Sequence, residues 1–125
     1  MNTNANPVHW FEIPVTDIRR ATEFYEKVIG LKLEPLEFGD VRMAWFARPE
    51  NATGSSGGLV QSPGRAPSRG GTLVFFSVAD IDSTLEAVQQ NGGRVVMPKA
   101  GGGEHGSIAH FEDSEGNLVA LFSEA

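Results

Sequence analysis

The chain reads as an α+β domain built from two copies of one βαβββ module, and three observations support that class. A short phrase occurs twice, as Val15-Thr16-Asp17-Ile18 and as Val78-Ala79-Asp80-Ile81, sixty-three positions apart in a chain of 125 residues. Each copy closes a run that alternates with the period of a strand and opens a run with the spacing of a helix. Three further strand-like runs follow each helix, so the order of elements repeats along with the phrase.

Residues 8–15 place Phe11, Ile13 and Val15 on one face and Trp10, Glu12 and Pro14 on the other, the alternation of a half-buried strand. Pro14 has no backbone N–H to give to a ladder, which suits an edge or a strand end. Asp17 is placed to cap the helix that follows, and Ile18, Ala21, Phe24, Tyr25 and Val28 recur at helical spacing until Gly30 ends it. Strands are predicted over 31–38, 41–47 and 58–61, separated by Gly39-Asp40 and by the proline- and glycine-bearing loop 48–57. Residues 62–70, rich in proline and glycine and poor in apolar side chains, read as a linker. The first module therefore covers about 8–61 and the second about 71–123, both within a single domain spanning 1–125.

The second module repeats the logic. A strand over 72–78 leads to the cap Asp80. Ile81, Leu85 and Val88 mark a helix that Asn91-Gly92-Gly93 terminates, and strands follow over 94–97, 107–112 and 117–122. The last two strands join through Asp113-Ser114-Glu115-Gly116. A three-residue turn there pairs Asp113 with Asn117 and sets His110 across from Ala120. The two helices should cover the faces carrying Phe11/Ile13/Val15 and Val74/Phe76/Val78. Trp10/Glu12/Pro14 and Leu73/Phe75/Ser77 are then left to line a cavity on the opposite face.

Composition narrows the function classes. Ten basic residues against sixteen acidic ones give a formal charge of −6, and no basic run is interleaved with aromatics, which argues against nucleic-acid binding. No apolar run approaches the roughly 18–20 residues of a membrane span. The first six residues also lack the basic and apolar parts of a signal peptide, so the expected setting is cytoplasmic. With no cysteine in the chain, disulfides, thiolate nucleophiles and cysteine-ligated zinc are excluded.

Three stretches taken together resemble the vicinal oxygen chelate superfamily, which holds glyoxalases, bleomycin-resistance proteins and extradiol dioxygenases. They are Val15-Thr16-Asp17-Ile18-Arg19-Arg20-Ala21-Thr22-Glu23-Phe24-Tyr25-Glu26-Lys27-Val28-Ile29-Gly30-Leu31, Gln90-Asn91-Gly92-Gly93, and Phe111-Glu112-Asp113-Ser114-Glu115-Gly116-Asn117-Leu118-Val119-Ala120-Leu121. The resemblance implies paired βαβββ modules curled into an incomplete barrel whose concave face holds a divalent metal and a small substrate, commonly in a homodimer. Carried over residue by residue, the family's metal positions fall on Trp10, at or near Gly58, on Leu73 and on Ala120. None of these offers imidazole, carboxylate or thiolate. His9 is one residue out of step and would face the other way in a regular strand. The expectation is thus a scaffold without its usual metal, with no cofactor assigned. A rearranged site drawing on His9, His105 or His110 is the metal-dependent alternative.

The resemblance also places substrate-contacting side chains at the positions of Glu12 and His110. Burial between Trp10 and Pro14 would raise the Glu12 carboxyl toward a range useful for proton transfer, which makes a Glu12/His110 acid/base couple conceivable. The plainer alternative pairs Glu12 with a backbone group or an arginine such as Arg42, so that it only closes the barrel. Trp10, Phe75 and Trp45 are candidates for an aromatic wall, while Phe46 is assigned to the core. His105 lies in the glycine-rich stretch 99–106, which could cover the cavity as a lid. Asp113, Gly116 and Asn117 read as turn formers. The leading expectation is a metal-free binder of a small organic molecule. The alternatives are a lyase, isomerase or dioxygenase, or an interaction module with no ligand.

Overall fold

Asp17 and Asp80 begin the two helices for the same physical reason. In the computed structural model, which describes residues 6–124, both residues have extended backbone. Asp17 accepts hydrogen bonds from the N–H groups of Arg19 and Arg20, and Asp80 accepts one from Ser83. These bonds satisfy donors that the first helical turn cannot pair internally. Helix α1 spans Ile18–Ile29 and ends at Gly30, whose φ of 85° is the left-handed conformation that glycine adopts without steric cost. Helix α2 spans Ile81–Gln90, with Asn91 at its C-terminal cap.

Around the helices stand two four-stranded sheets. The first holds β1 (Trp10–Pro14), β2 (Leu33–Phe38), β3 (Val41–Phe46) and β4 (Ser56–Gln61) in the order β1-β4-β3-β2. The second holds β5 (Phe75–Ser77), β6 (Arg94–Gly101), β7 (Ser107–Glu112) and β8 (Leu118–Ser123) in the order β5-β8-β7-β6. Each leading strand runs parallel to the last strand of its own module, and the other pairs are antiparallel. The two βαβββ modules therefore have identical topology, and the sheets do not close into a barrel. The N-terminal segment read for a leader lies mostly outside the described residues. No helix among those described is long and apolar enough to cross a membrane.

The core lies between the helices and one face of each sheet. Ile13, Val15, Phe24, Tyr25, Phe46, Leu59, Ile81, Val88, Phe111 and Leu121 are all buried in it, with Phe11, Phe76 and Val78 packed alongside. The facing predicted from alternation holds for Phe11, Ile13, Val15, Phe76 and Val78, while Val74, ahead of β5, lines the cavity with Leu73, and Phe46 is a core residue as expected.

Two predicted elements differ in extent. The strand expected over 72–78 is reduced to Phe75–Ser77, because the linker occupies part of the ladder: the Leu118 N–H donates to the Ser68 carbonyl, and the Ser68 N–H donates to the Asn117 side chain. In the other direction, β6 continues from Met97 to Gly101 through two register shifts, between Val95 and Met97 and between Met97 and Ala100. Bulges let Pro98 sit inside a strand without breaking it. The stretch expected to be a free lid is thus the end of the β6–β7 hairpin, closed by a single 3₁₀ turn over Gly103–His105.

Candidate functional site

Gly58 makes the site possible. It lies on β4 directly between Glu12 of β1 and Trp45 of β3, and a Cβ there would stand 2.7 Å from the Ala44 carbonyl oxygen and 2.8 Å from Cδ1 of Trp45. With hydrogen in that place, the Trp45 indole lies against the sheet and meets the edge of Trp10, with ring centroids 5.3 Å apart and an interplanar angle of 74°. That edge-to-face arrangement is favoured by the ring quadrupoles. The indole N–H of Trp10 donates to Glu12 Oε2 at 3.2 Å, so both indoles and the carboxylate form one connected surface on the face turned away from the helices.

Arg65 completes this surface from the linker. Its Nη1 lies 2.5 Å from Glu12 Oε1, and the two side chains are 44% and 29% exposed, so the pair is formed at the rim rather than in the core. The Arg65 guanidinium is the largest influence on the Glu12 carboxyl. Together with the Trp10 bond it outweighs partial burial and holds the carboxyl below its usual range. This corrects the expectation that burial raises Glu12, and it also corrects the partner: Arg42 faces Glu37 instead, at 3.4 Å. Arg65 was not foreseen because it sits in a stretch that reads as a spacer. The available signal was chemical, since a carboxylate on a half-buried face requires a cation.

Glu12 opens on a cavity of about 770 Å³ between the two modules of one chain, walled by Trp10, Glu12 and Pro14 on one side and by Leu73, Phe75 and Leu118 on the other. Its rim carries Ser55 and Ser68. Phe75 is 49% exposed and occupies in the second module the position that Glu12 occupies in the first. The row Glu12–Gly58–Trp45 is matched by Phe75–Ala120–His110, with a small residue in the middle and a ring on the third strand of each.

His110 does stand across from Ala120, and its ring is 6.2 Å from that of Phe75. It is not among the residues lining the cavity that holds Glu12, though its ring neighbour Phe75 is. His105 points into solvent with its side chain 94% exposed, and His9 is exposed ahead of β1. Among the described residues no group of three histidine, cysteine, aspartate or glutamate side chains is gathered to hold a metal ion. The side chains at the family's ligand positions, Trp10, Gly58, Leu73 and Ala120, do not fit one.

The cavity's width is set by the β7–β8 turn. The Asn117 side chain donates to the Pro14 carbonyl at 2.8 Å and to Asp113 at 3.0 Å, while its oxygen accepts from Ser68 at 3.0 Å. One amide thereby joins the first module, the linker and the second module at the cavity wall. Asp113 in turn accepts from the buried Tyr25 hydroxyl at 2.6 Å. Glu115 reaches the start of α1, where it accepts from the Thr16 and Asp17 N–H groups, the Thr16 hydroxyl and the Arg20 guanidinium. Residues that read as turn formers also clasp the modules together.

The comparisons with known proteins agree with this fold. The model of the Glyoxalase/Bleomycin resistance protein/Dioxygenase superfamily matches residues 8–121, and the chain belongs to that family. A glyoxylase-like domain-containing protein of Didymella fabae is 32% identical over 114 residues, covering 88% of each chain. Among solved structures, TnmS3, an antibiotic binding protein from Streptomyces sp. CB03234, superposes with a TM-score of 0.69 at 26% identity, covering 99% of this chain and 100% of that one. Glyoxalase I from Zea mays superposes with a TM-score of 0.70 at 22% identity over 94% of this chain. The chain spans about half of the maize enzyme's length, 46%, and that likeness bears on the fold.

Proposed function

We propose that this protein binds a small, flat organic molecule in the cavity between its modules and does so without a metal ion. The observation that carries the reading is Trp10, braced edge-to-face by Trp45 and bonded to an ionised Glu12, in the wall of a cavity whose far side is the exposed Phe75. Aromatic walls with a few fixed polar groups are the usual make-up of a small-molecule pocket. The likeness to an antibiotic binding protein supports a binder as well. Metal-free action rests on the side chains themselves, because Trp10, Gly58, Leu73 and Ala120 supply no donor. The Arg65 guanidinium, by holding the Glu12 carboxyl low, favours a binding role for Glu12 over proton transfer with His110.

The chain has two tryptophans, Trp10 in the cavity wall and Trp45 packed against its edge. Intrinsic fluorescence is therefore a direct reporter of occupancy. A panel of bicyclic and tricyclic compounds should contain members that change the emission saturably and raise the thermal midpoint. Trp10→Ala should weaken those ligands by roughly tenfold, the loss expected when one aromatic contact is removed, and Trp45→Ala should act less strongly, through the bracing of Trp10. A panel with no saturable response and no thermal shift would remove the reading. Metal analysis of protein purified without chelator should find less than one divalent ion per chain, and stoichiometric zinc, nickel, manganese or iron would overturn the metal-free part alone.

A further inference from the structure

The ligand's charge can be read from what already occupies the site. Glu12 is a carboxylate bonded to the Trp10 indole, which in turn packs on Trp45, a combination that attracts cations through both the charge and the negative ring faces. The chain supplies its own cation there: the guanidinium of Arg65, carried on the linker 62–70, donates to Glu12 Oε1 at 2.5 Å while Trp10 holds Oε2. Arg65 lines a small recess with Thr16, Ser62 and Pro63 and is not among the residues lining the cavity that holds Glu12. Its side chain is 44% exposed, and its described side-chain bond is the one to Glu12, so a rotation of the side chain withdraws the guanidinium while the linker stays anchored at Ser68.

We infer that the cavity takes a flat organic cation, such as a protonated amine or amidinium on an aromatic body, and that Arg65 is a built-in competitor which the ligand displaces from Glu12. The inference rests on the small-molecule reading given above and adds the ligand's charge and a residue that holds the empty site in check. With Arg65 in place the carboxylate is already neutralised, so an incoming cation gains its full attraction only as the guanidinium withdraws. A neutral ligand of the same shape gains the aromatic contacts alone, and an anion meets the field of Glu12 in a chain of net charge −6.

Three probes with one ring system separate these cases: 2-naphthamidine, which is cationic at neutral pH, the neutral 2-naphthamide, and the anionic 2-naphthoate, each titrated calorimetrically into the full chain. The amidine should bind at least roughly tenfold more tightly than the amide, and the naphthoate most weakly. Glu12→Gln should bring the amidine and the amide to within about twofold of each other. Arg65→Ala, or Arg65→Gln should the first variant fold poorly, should raise the amidine-to-amide ratio by roughly three- to tenfold. An amide that binds as tightly as the amidine overturns the cation assignment while leaving the small-molecule reading intact. A ratio that falls in both Arg65 variants overturns the competitor role and makes Arg65 a positioning group for Glu12. If none of the three naphthalenes binds, the small-molecule reading falls for this ligand class, and the charge assignment falls with it.

Discussion

At the scale of single residues, the site depends on a missing side chain. A Cβ at position 58 would stand 2.7 Å from the Ala44 carbonyl and 2.8 Å from the Trp45 ring. The backbone oxygen cannot move without disturbing the β3–β4 ladder, so the indole would have to give way. Gly58→Val is expected to cost about 1–3 kcal/mol by overpacking and to separate Trp45 from Trp10. Urea unfolding reads the first effect, and a changed emission spectrum with loss of ligand response reads the second. A Gly58→Val protein with wild-type emission and affinity would show that the tryptophan pair does not depend on this glycine. The facing of Trp10, Glu12 and Phe75 was legible in sequence because parity along a strand is a local property. Arg65 was not legible, since no periodicity connects a linker arginine to a strand glutamate fifty-three residues earlier.

At the scale of elements, the turn between β7 and β8 does more than reverse the chain. Glu115 is fully covered, and burial by itself would push its carboxyl up. The bonds from Arg20, Asp17 and Thr16 outweigh that and bring it down to about 2, from an ordinary value of 4.5. A carboxyl depressed in the folded state contributes stability that is complete above its unfolded pKa and is lost as pH falls through the folded one. The clasp should therefore hold at neutral pH and weaken between about pH 4.5 and about pH 2. Glu115→Gln should cost about 2 kcal/mol at neutral pH and show a shallower fall in urea midpoint over that acid range than the wild type. Parallel acid limbs for the two proteins would mean that Glu115 is not what makes the modules acid-sensitive. The helix starts were readable because Asp17 and Asp80 act on N–H groups two or three residues away. The shortened β5 and the lengthened β6 were not, because a strand's extent depends on what pairs with it. Ser68 takes a ladder position beside Leu118, and bulges carry β6 past Pro98.

At the scale of the whole molecule, the internal repeat leaves surfaces that one chain does not cover. The outer edge of the first sheet is β2 and that of the second is β6, and both carry large apolar side chains in solvent, Phe38 at 55% exposure and Val96 at 37%. Open edges with apolar groups favour pairing with a like surface. In a protein already built on a pseudo-twofold repeat, a second copy related by a true twofold axis presents the same patches to each other. We propose on this basis that the protein is a homodimer joined through these edges, with the cavity still formed inside each chain by the Asn117 and Glu115 contacts. Sedimentation at high micromolar concentration should then give twice the mass of one chain. Phe38→Lys combined with Val96→Lys should shift that mass to a single chain while leaving the fluorescence response to ligand in place, because neither residue lines the cavity that holds Glu12. A wild-type protein that sediments as one chain would leave both edges as plain surface. A double variant that turns monomeric and also stops responding to ligand would place part of the binding site across the dimer, against the single-chain cavity between β1 and β5.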